Sequence, residues 1–147
     1  MLREPGKMRV LGLDYGEKRI GVAVCDELGM TAQGLGVIAR KNKQRDLEAI
    51  AHYVQLYGVE KIVIGYPLRL DGTVGIQCEK VDRFIRALAS LFPVPIIRWD
   101  ETLTTRDAEE ILRIANVREK KRKALVDKIA AGMILQGYLD ASTKHTV

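Results

Sequence analysis

Aromatic side chains make up only 5% of this 147-residue chain, and histidine and cysteine occur twice each. Cys25 and Cys78 lie far apart with no C-x-x-C partner, which argues against a disulfide-stapled miniature fold. Two reduced, partly buried thiols in a cytoplasmic protein are expected instead. His52 falls in a helical segment and His145 in the tail, so neither reads as a metal ligand. No uncharged apolar run approaches the length needed to cross a bilayer. The N-terminal MLREPGK has neither an apolar h-region nor a small-residue cleavage site. A start at Met8 would open the domain as well as one at Met1. There is no G-x-x-x-x-G-K-[ST] phosphate loop and no nucleophilic serine or cysteine motif.

What the chain does contain is a large apolar fraction, 47%, with 29% charged residues and a net charge of +5. That composition and length suit one globular domain over 1–147, with a core of about 8–140 and loose ends at 1–7 and 141–147. The basic excess suits a polyanionic partner. It is concentrated at Lys41, Lys43 and Arg45 and in the run from Arg118 to Lys123. Either cluster alone would serve as a solvated face.

Runs rich in Val, Ile and Leu joined by short turns predict strands at 8–14, 19–26 and 32–39, an antiparallel meander. Leu47, Ile50, Ala51, Val54 and Tyr57 recur at helical spacing and predict a helix over 44–57 that stops at Gly58. KIVIGYP at 61–67 reads as a buried strand. A helix follows the loop LRLDGTVG, with Val81, Phe84, Ile85, Leu88 and Phe92 as its stripe and Pro93 beyond its end. PIIRWDE at 95–101 is the last strand. Thr104 and Asp107 resemble a capping box for a helix bearing Ile111, Leu112 and Ala115, and a final helix runs from about Glu119 to Tyr138. The order β-β-β-α-β-α-β-α-α calls for a mixed sheet with helices on its faces, its last two strands parallel to the first.

Acids mark the strand ends. Asp14 closes the first apolar run, where α/β sheets place ligands, although aspartate also starts turns. Asp100 and Glu101 close the last strand; one of them could cap the next helix, but Thr104 is the better cap. Asp127 shares a helix face with Ala124, Ala130, Ala131 and Ile134. An acid among small apolar residues needs a metal or an ion-pair partner, Lys123 or Lys128 being the nearest candidates. Carboxylates without histidine or cysteine suit Mg²⁺ or Mn²⁺ rather than zinc, and such ions can drive phosphodiester hydrolysis.

DYGEKRIG, VIGYPLRLDGT, DETLTT and KALVDKIAAGMILQGYL, in that order from about Met8 to Leu139, resemble the YqgF (RuvX) family. The resemblance implies an α/β fold of RNase H-like type, a five-stranded mixed sheet flanked by helices. It also implies a metal-dependent nuclease that matures the 5′ end of pre-16S rRNA or, in some members, resolves Holliday junctions. Matched by motif, Asp14, Glu101 and Asp127 are the catalytic and metal-binding acids, with Asp100 as the alternative from the same pair. Resolvase-type relatives carry an acid at the end of the fourth strand, where this chain reads Ile64-Gly65-Tyr66; the YqgF pattern takes it from the fifth.

Arg69 and Thr73, in a loop opening a helix, could hold a phosphate, and Asp71-Gly72 would also serve as a plain cap and turn. Lys18, Arg19, Arg106, Lys120, Lys121, Arg122 and Lys123 could flank a nucleic-acid backbone. With so few aromatics, recognition by shape and phosphate is expected over base stacking. The competing class is a non-catalytic nucleic-acid-binding module in ribosome assembly. An actin or sugar-kinase fold also uses an aspartate near a glycine but needs two domains. A homodimer would favour junction resolution, and no interface signature stands out in the sequence.

Overall fold

The computed structural model describes residues 9–67, 75–100, 113 and 119–144; for 119–124 and 143–144 it describes the backbone alone. Its elements are β1 (Val10–Tyr15), β2 (Arg19–Cys25), β3 (Ala32–Ala39), α1 (Lys43–Tyr57), β4 (Lys61–Tyr66), α2 (Ile76–Leu91), β5 (Ile96–Asp100) and, as α3 here, Glu119–Lys144. The strands form one sheet in the order β3-β2-β1-β4-β5. β1–β2 and β2–β3 pair antiparallel, and β4 lies parallel to both β1 and β5. The mixed sheet expected from the meander and the two helical crossovers is therefore present.

Alternation along the strands divides the core into two layers. Leu11, Leu13, Ile20, Val22, Ile62 and Ile64 pack with Leu47 and Ile50 of α1 and with Val81, Phe84 and Leu88 of α2. Val10, Ala23, Cys25 and Val63 face the other way, onto Ala131, Ile134, Leu135 and Leu139 of α3. Small residues let α3 come close to the sheet. A Cβ on Gly12 would stand 2.8 Å from that of Leu135, and one on Gly21 would collide with the Asp127 carbonyl.

Helix ends follow their local chemistry. Asn42 caps α1 through its side chain, which accepts from the Arg45 N–H at 2.9 Å. Gly58 ends it at φ 60°, a left-handed conformation that glycine adopts without strain. α3 runs to Lys144, beyond the end expected at Tyr138, so the tail from 141 is helical up to that point. Leu139 is buried, the Ser142 hydroxyl donates to the Tyr138 carbonyl at 2.9 Å, and residues 139–144 contain neither glycine nor proline. The helix expected after Thr104 lies outside the described residues except for Arg113, which is helical.

Candidate active site

Asp14 is the next-to-last residue of the central strand and is 7% exposed. It shares the side of β1 occupied by Val10, so its carboxylate belongs to the α3 face of the sheet. Across the antiparallel pair, Asp14 is opposite Gly21. Gly21 is also where the backbone of α3 touches the sheet, at the Asp127 carbonyl. One glycine thus joins two acids 113 residues apart in sequence, because any side chain at that point would push the helix away.

Asp127 is half-buried on α3, and its Oδ2 accepts a hydrogen bond from Arg19 Nε at 2.6 Å. Arg19 begins β2, two residues before Gly21 and on the same face. The ion-pair partner among the described residues is therefore Arg19, and not Lys128 one residue along the helix. Lys128 instead lays its aliphatic stem against Gly34 of β3. Lys18, in the same β1–β2 turn, is exposed.

Asp100 ends β5 and pairs in register with Tyr66. Its parity is that of Ile96 and Arg98, which face α2, whereas Ile97 and Trp99 face α3. Strand alternation consequently gives Asp100 to the face opposite Asp14. Glu101, Arg69, Thr73 and Arg106 lie outside the described residues. Lys120, Lys121, Arg122 and Lys123 belong to the first turns of α3, where only the backbone is described. Among the described residues no group of three or more His, Cys, Asp or Glu side chains gathers as a metal cage. Of the sequence-predicted acids among the described residues, Asp14 and Asp127 are the two brought to one face.

The donor set suits a hard divalent cation: two carboxylates, with no thiol or imidazole described beside them. The Arg19 guanidinium balances Asp127, and a metal ion held by that carboxylate would compete with it. Gly65, buried at the end of β4, pairs with Trp99 and presents no side chain where resolvase-type relatives carry an acid.

A second polar group was not legible as a unit in the sequence. The Tyr66 hydroxyl donates to Asp82 Oδ2 at 2.8 Å, and Arg98 Nε donates to Asp82 Oδ1 at 2.8 Å. Burial pushes the Tyr66 phenol up to about 12, with the Asp82 carboxylate adding to the shift. Burial would raise Asp82 too, but the hydrogen bonds from Arg98 and Tyr66 outweigh it and hold its carboxyl below the usual range. This network joins the ends of β4 and β5 to α2. Its members are spaced 16 residues apart in sequence, and no local pattern announces them.

A 3-2-1-4-5 sheet with an acid on its central strand and a long helix carrying a second acid across one face defines an RNase H-like protein. The chain belongs to the RuvX family, whose model, described as "Holliday junction resolvase", matches residues 8–141. A relative from Syntrophus aciditrophicus named "Putative pre-16S rRNA nuclease" is 61% identical over 95% of this chain and 93% of its own. One of the same name from Halothermothrix orenii is 50% identical over 93% and 98%. Among solved structures, T. thermophilus RuvC in complex with a Holliday junction substrate superposes with a TM-score of 0.56 at 16% identity, over 92% of this chain and 96% of that one. The fowlpox virus resolvase with its junction DNA gives 0.52 at 14%, over 92% and 99%. At those identities the likeness is one of fold.

Proposed function

We propose that this chain is a divalent-metal-dependent nuclease that hydrolyses phosphodiester bonds of structured nucleic acid and matures the 5′ end of pre-16S rRNA. The observation that carries the proposal is the convergence of Asp14 and Asp127 through Gly21 at the carboxyl end of the central strand. The name shared by the close relatives supplies the substrate.

In this proposal Asp14, Asp127 and Glu101 hold Mg²⁺ or Mn²⁺, with Asp100 as the alternative to Glu101 despite its opposite strand parity. When bound, such an ion polarises a phosphoryl oxygen and lowers the pKa of a coordinated water. The chain's own part is to fix the two carboxylates against a rigid sheet, to keep a cation beside them in Arg19, and to meet the substrate backbone. Lys18, Arg19, Arg69, Thr73, Arg106 and the Lys120–Lys123 run are the residues proposed for that contact. No helix among the described residues is long and apolar enough to cross a membrane; a cytoplasmic location accords with an rRNA substrate.

The description of the matching family model favours a second reading, cleavage of four-way DNA junctions. Symmetric cuts in a junction need two active sites, hence a homodimer. The test is cleavage of a labelled pre-16S rRNA fragment and a four-way DNA junction, side by side, with Mg²⁺ or Mn²⁺. Wild type is compared with Asp14→Asn, Glu101→Gln and Asp127→Asn. We expect the RNA to be cut, and each variant to lose more than the roughly 10–100-fold that loss of an outer-shell partner costs. Cleavage of the junction alone selects the second reading. If nothing is cut, or the variants match wild type, the chain is a nucleic-acid-binding module without this chemistry.

A further inference from the structure

On the face of the sheet opposite Asp14, the β1–β2 turn, Arg40 and the helices α1 and α2 enclose a cleft of about 500 Å³. We propose that this cleft binds backbone phosphates of the same nucleic acid, in a segment that has passed around the sheet edge away from the cleavage centre. The proposal rests on the nucleic-acid reading above and extends it to a surface that the acids do not touch.

Position comes first. Tyr15 follows Asp14 in β1, so consecutive side chains of one strand serve the two faces. The connection after Tyr15 also serves both faces: Gly16 and Glu17 of the turn line the cleft, while Arg19, at the start of β2, meets Asp127 on the far side. A strand lying against Asp14 and Asp127 therefore has only this turn to cross.

Charge decides the kind of ligand. Arg40, Lys43, Lys80 and Arg83 line the cleft against two acids, Glu17 and Asp46. Both acids are answered from within. Lys80 Nζ stands 3.3 Å from Glu17, and Asp46, 2% exposed, accepts from the Lys41 N–H at 3.0 Å and pairs with Arg40 Nε at 3.5 Å. Arg40 also donates through Nη1 to the carbonyls of Gly16 and Glu17, at 3.0 and 3.1 Å. Its guanidinium is thus held in place before any ligand arrives, which lowers the ordering cost of binding. Lys43 and Arg83 are exposed and have no ion-pair partner among the described residues.

The aromatic surface points the same way. Tyr15 stacks on Phe84 with centroids 4.4 Å apart, and the Arg40 guanidinium lies 4.5 Å over the Tyr15 ring. Neither face of that ring is left for a base. The cations come from separate elements, Arg40 from beyond β3, Lys43 from α1, and Lys80 and Arg83 from α2, an arrangement that fits successive phosphates better than a single small anion.

The experiment is equilibrium binding of a labelled stem-loop RNA and a four-way DNA junction over a salt series in EDTA, where metal-dependent cleavage is silent. The variant is Lys43→Gln/Arg83→Gln. The control is Arg45→Gln/Arg86→Gln, which removes the same charge from exposed positions of the same helices outside the cleft. We expect the cleft variant to bind about tenfold more weakly at low salt, with a salt slope shallower by about 1.5 from two lost phosphate contacts. The control should be much closer to wild type. Equal effects of the two pairs, or no effect of either, overturn the proposal. It is also overturned if the cleft variant loses binding of inorganic pyrophosphate but keeps that of nucleic acid. Cleavage in Mg²⁺ is read separately. Weakened binding by the cleft variant, with no cleavage by wild type, would sustain this site and refute the nuclease reading.

Discussion

Arg19 Nε lies 2.6 Å from Asp127 Oδ2, joining the start of β2 to a helix 108 residues further along the chain. The pair is about one-third exposed on the arginine side and one-fifth on the aspartate side. It supplies the positive charge that a carboxylate among alanines requires. In a metal-binding protein it also sets up a competition, since one oxygen of Asp127 cannot fully serve both cations.

Replacing Arg19 with Met should therefore tighten Mn²⁺ binding in the absence of nucleic acid, by about fivefold if the competing pair is worth about 1 kcal/mol. The metal-free protein should lose a similar amount of stability, read as a lower Tm. Calorimetric titration with Mn²⁺ checks the first effect and a thermal melt the second. Unchanged or weaker metal binding would show that Arg19 does not compete for Asp127.

Gly21→Ala should damage the site more than Gly12→Ala does. At Gly12 the nearest obstacles are the Leu135 Cβ at 2.8 Å and the Ala131 carbonyl at 3.1 Å, whereas at Gly21 a Cβ would collide outright with the backbone of Asp127 itself. Both should cost about 1–3 kcal/mol by overpacking. Only Gly21→Ala displaces an acid, so its cleavage rate should fall further than its stability explains. Denaturant unfolding alongside cleavage at matched folded fraction separates the two contributions.

The Tyr66–Asp82–Arg98 network should leave a mark on stability at both pH extremes. Asp82 is held below its ordinary 3.8, so its contribution is complete above that value and is lost as pH falls through the lower folded value. Tyr66 is raised from 10.0 to about 12, so its contribution is complete below pH 10 and is lost as pH rises toward 12. Tyr66→Phe should flatten the alkaline limb of a Tm-against-pH profile and Asp82→Asn the acid limb. Each should cost about 1 kcal/mol near neutrality.

The thiols should be inert in the folded protein. Neither Cys25 nor Cys78 is in a disulfide, and both are wholly buried. Burial pushes the Cys25 thiol up, and the Val10 N–H donating to its sulfur at 3.1 Å offsets this only in part. An alkylating reagent should label neither residue at neutral pH until denaturant unfolds the chain. Mass spectrometry across a denaturant series would show labelling rise with the unfolding transition; labelling before it would mean that the sheet opens locally.

For the described elements, the order and the strand directions were legible in the chain because each depends on short-range chemistry. Short runs rich in Val, Ile and Leu bounded by turn residues mark β1 to β3, helical spacing marks α1, and Gly58 ends α1 in a conformation that few other residues accept. Asp14 stood out for the same reason, an acid breaking an apolar run. The partners did not. Lys123 and Lys128, near in sequence, were the candidate counter-charges of Asp127 if it bound no metal; the Lys123 side chain lies outside the described residues, and the described side chain that reaches Asp127 is Arg19, not Lys128. Lys41, Lys43 and Arg45 could have been a plain solvated face, and nothing local singled out their neighbours Arg40 and Asp46, yet Asp46 is as buried as the core.

By itself, then, the sequence determined which residues could be strands, helices and site acids, since alternation, capping and the isolation of a charge act over a few residues. Only the tertiary structure decided which charges meet. Asp14 and Asp127 share a face because Gly21 admits the helix, Asp100 takes the other face by strand parity, and Arg40 is steered into a cleft by a buried carboxylate. Such pairings depend on the register of strands and the depth of a helix against a sheet, which the packing of the whole core fixes.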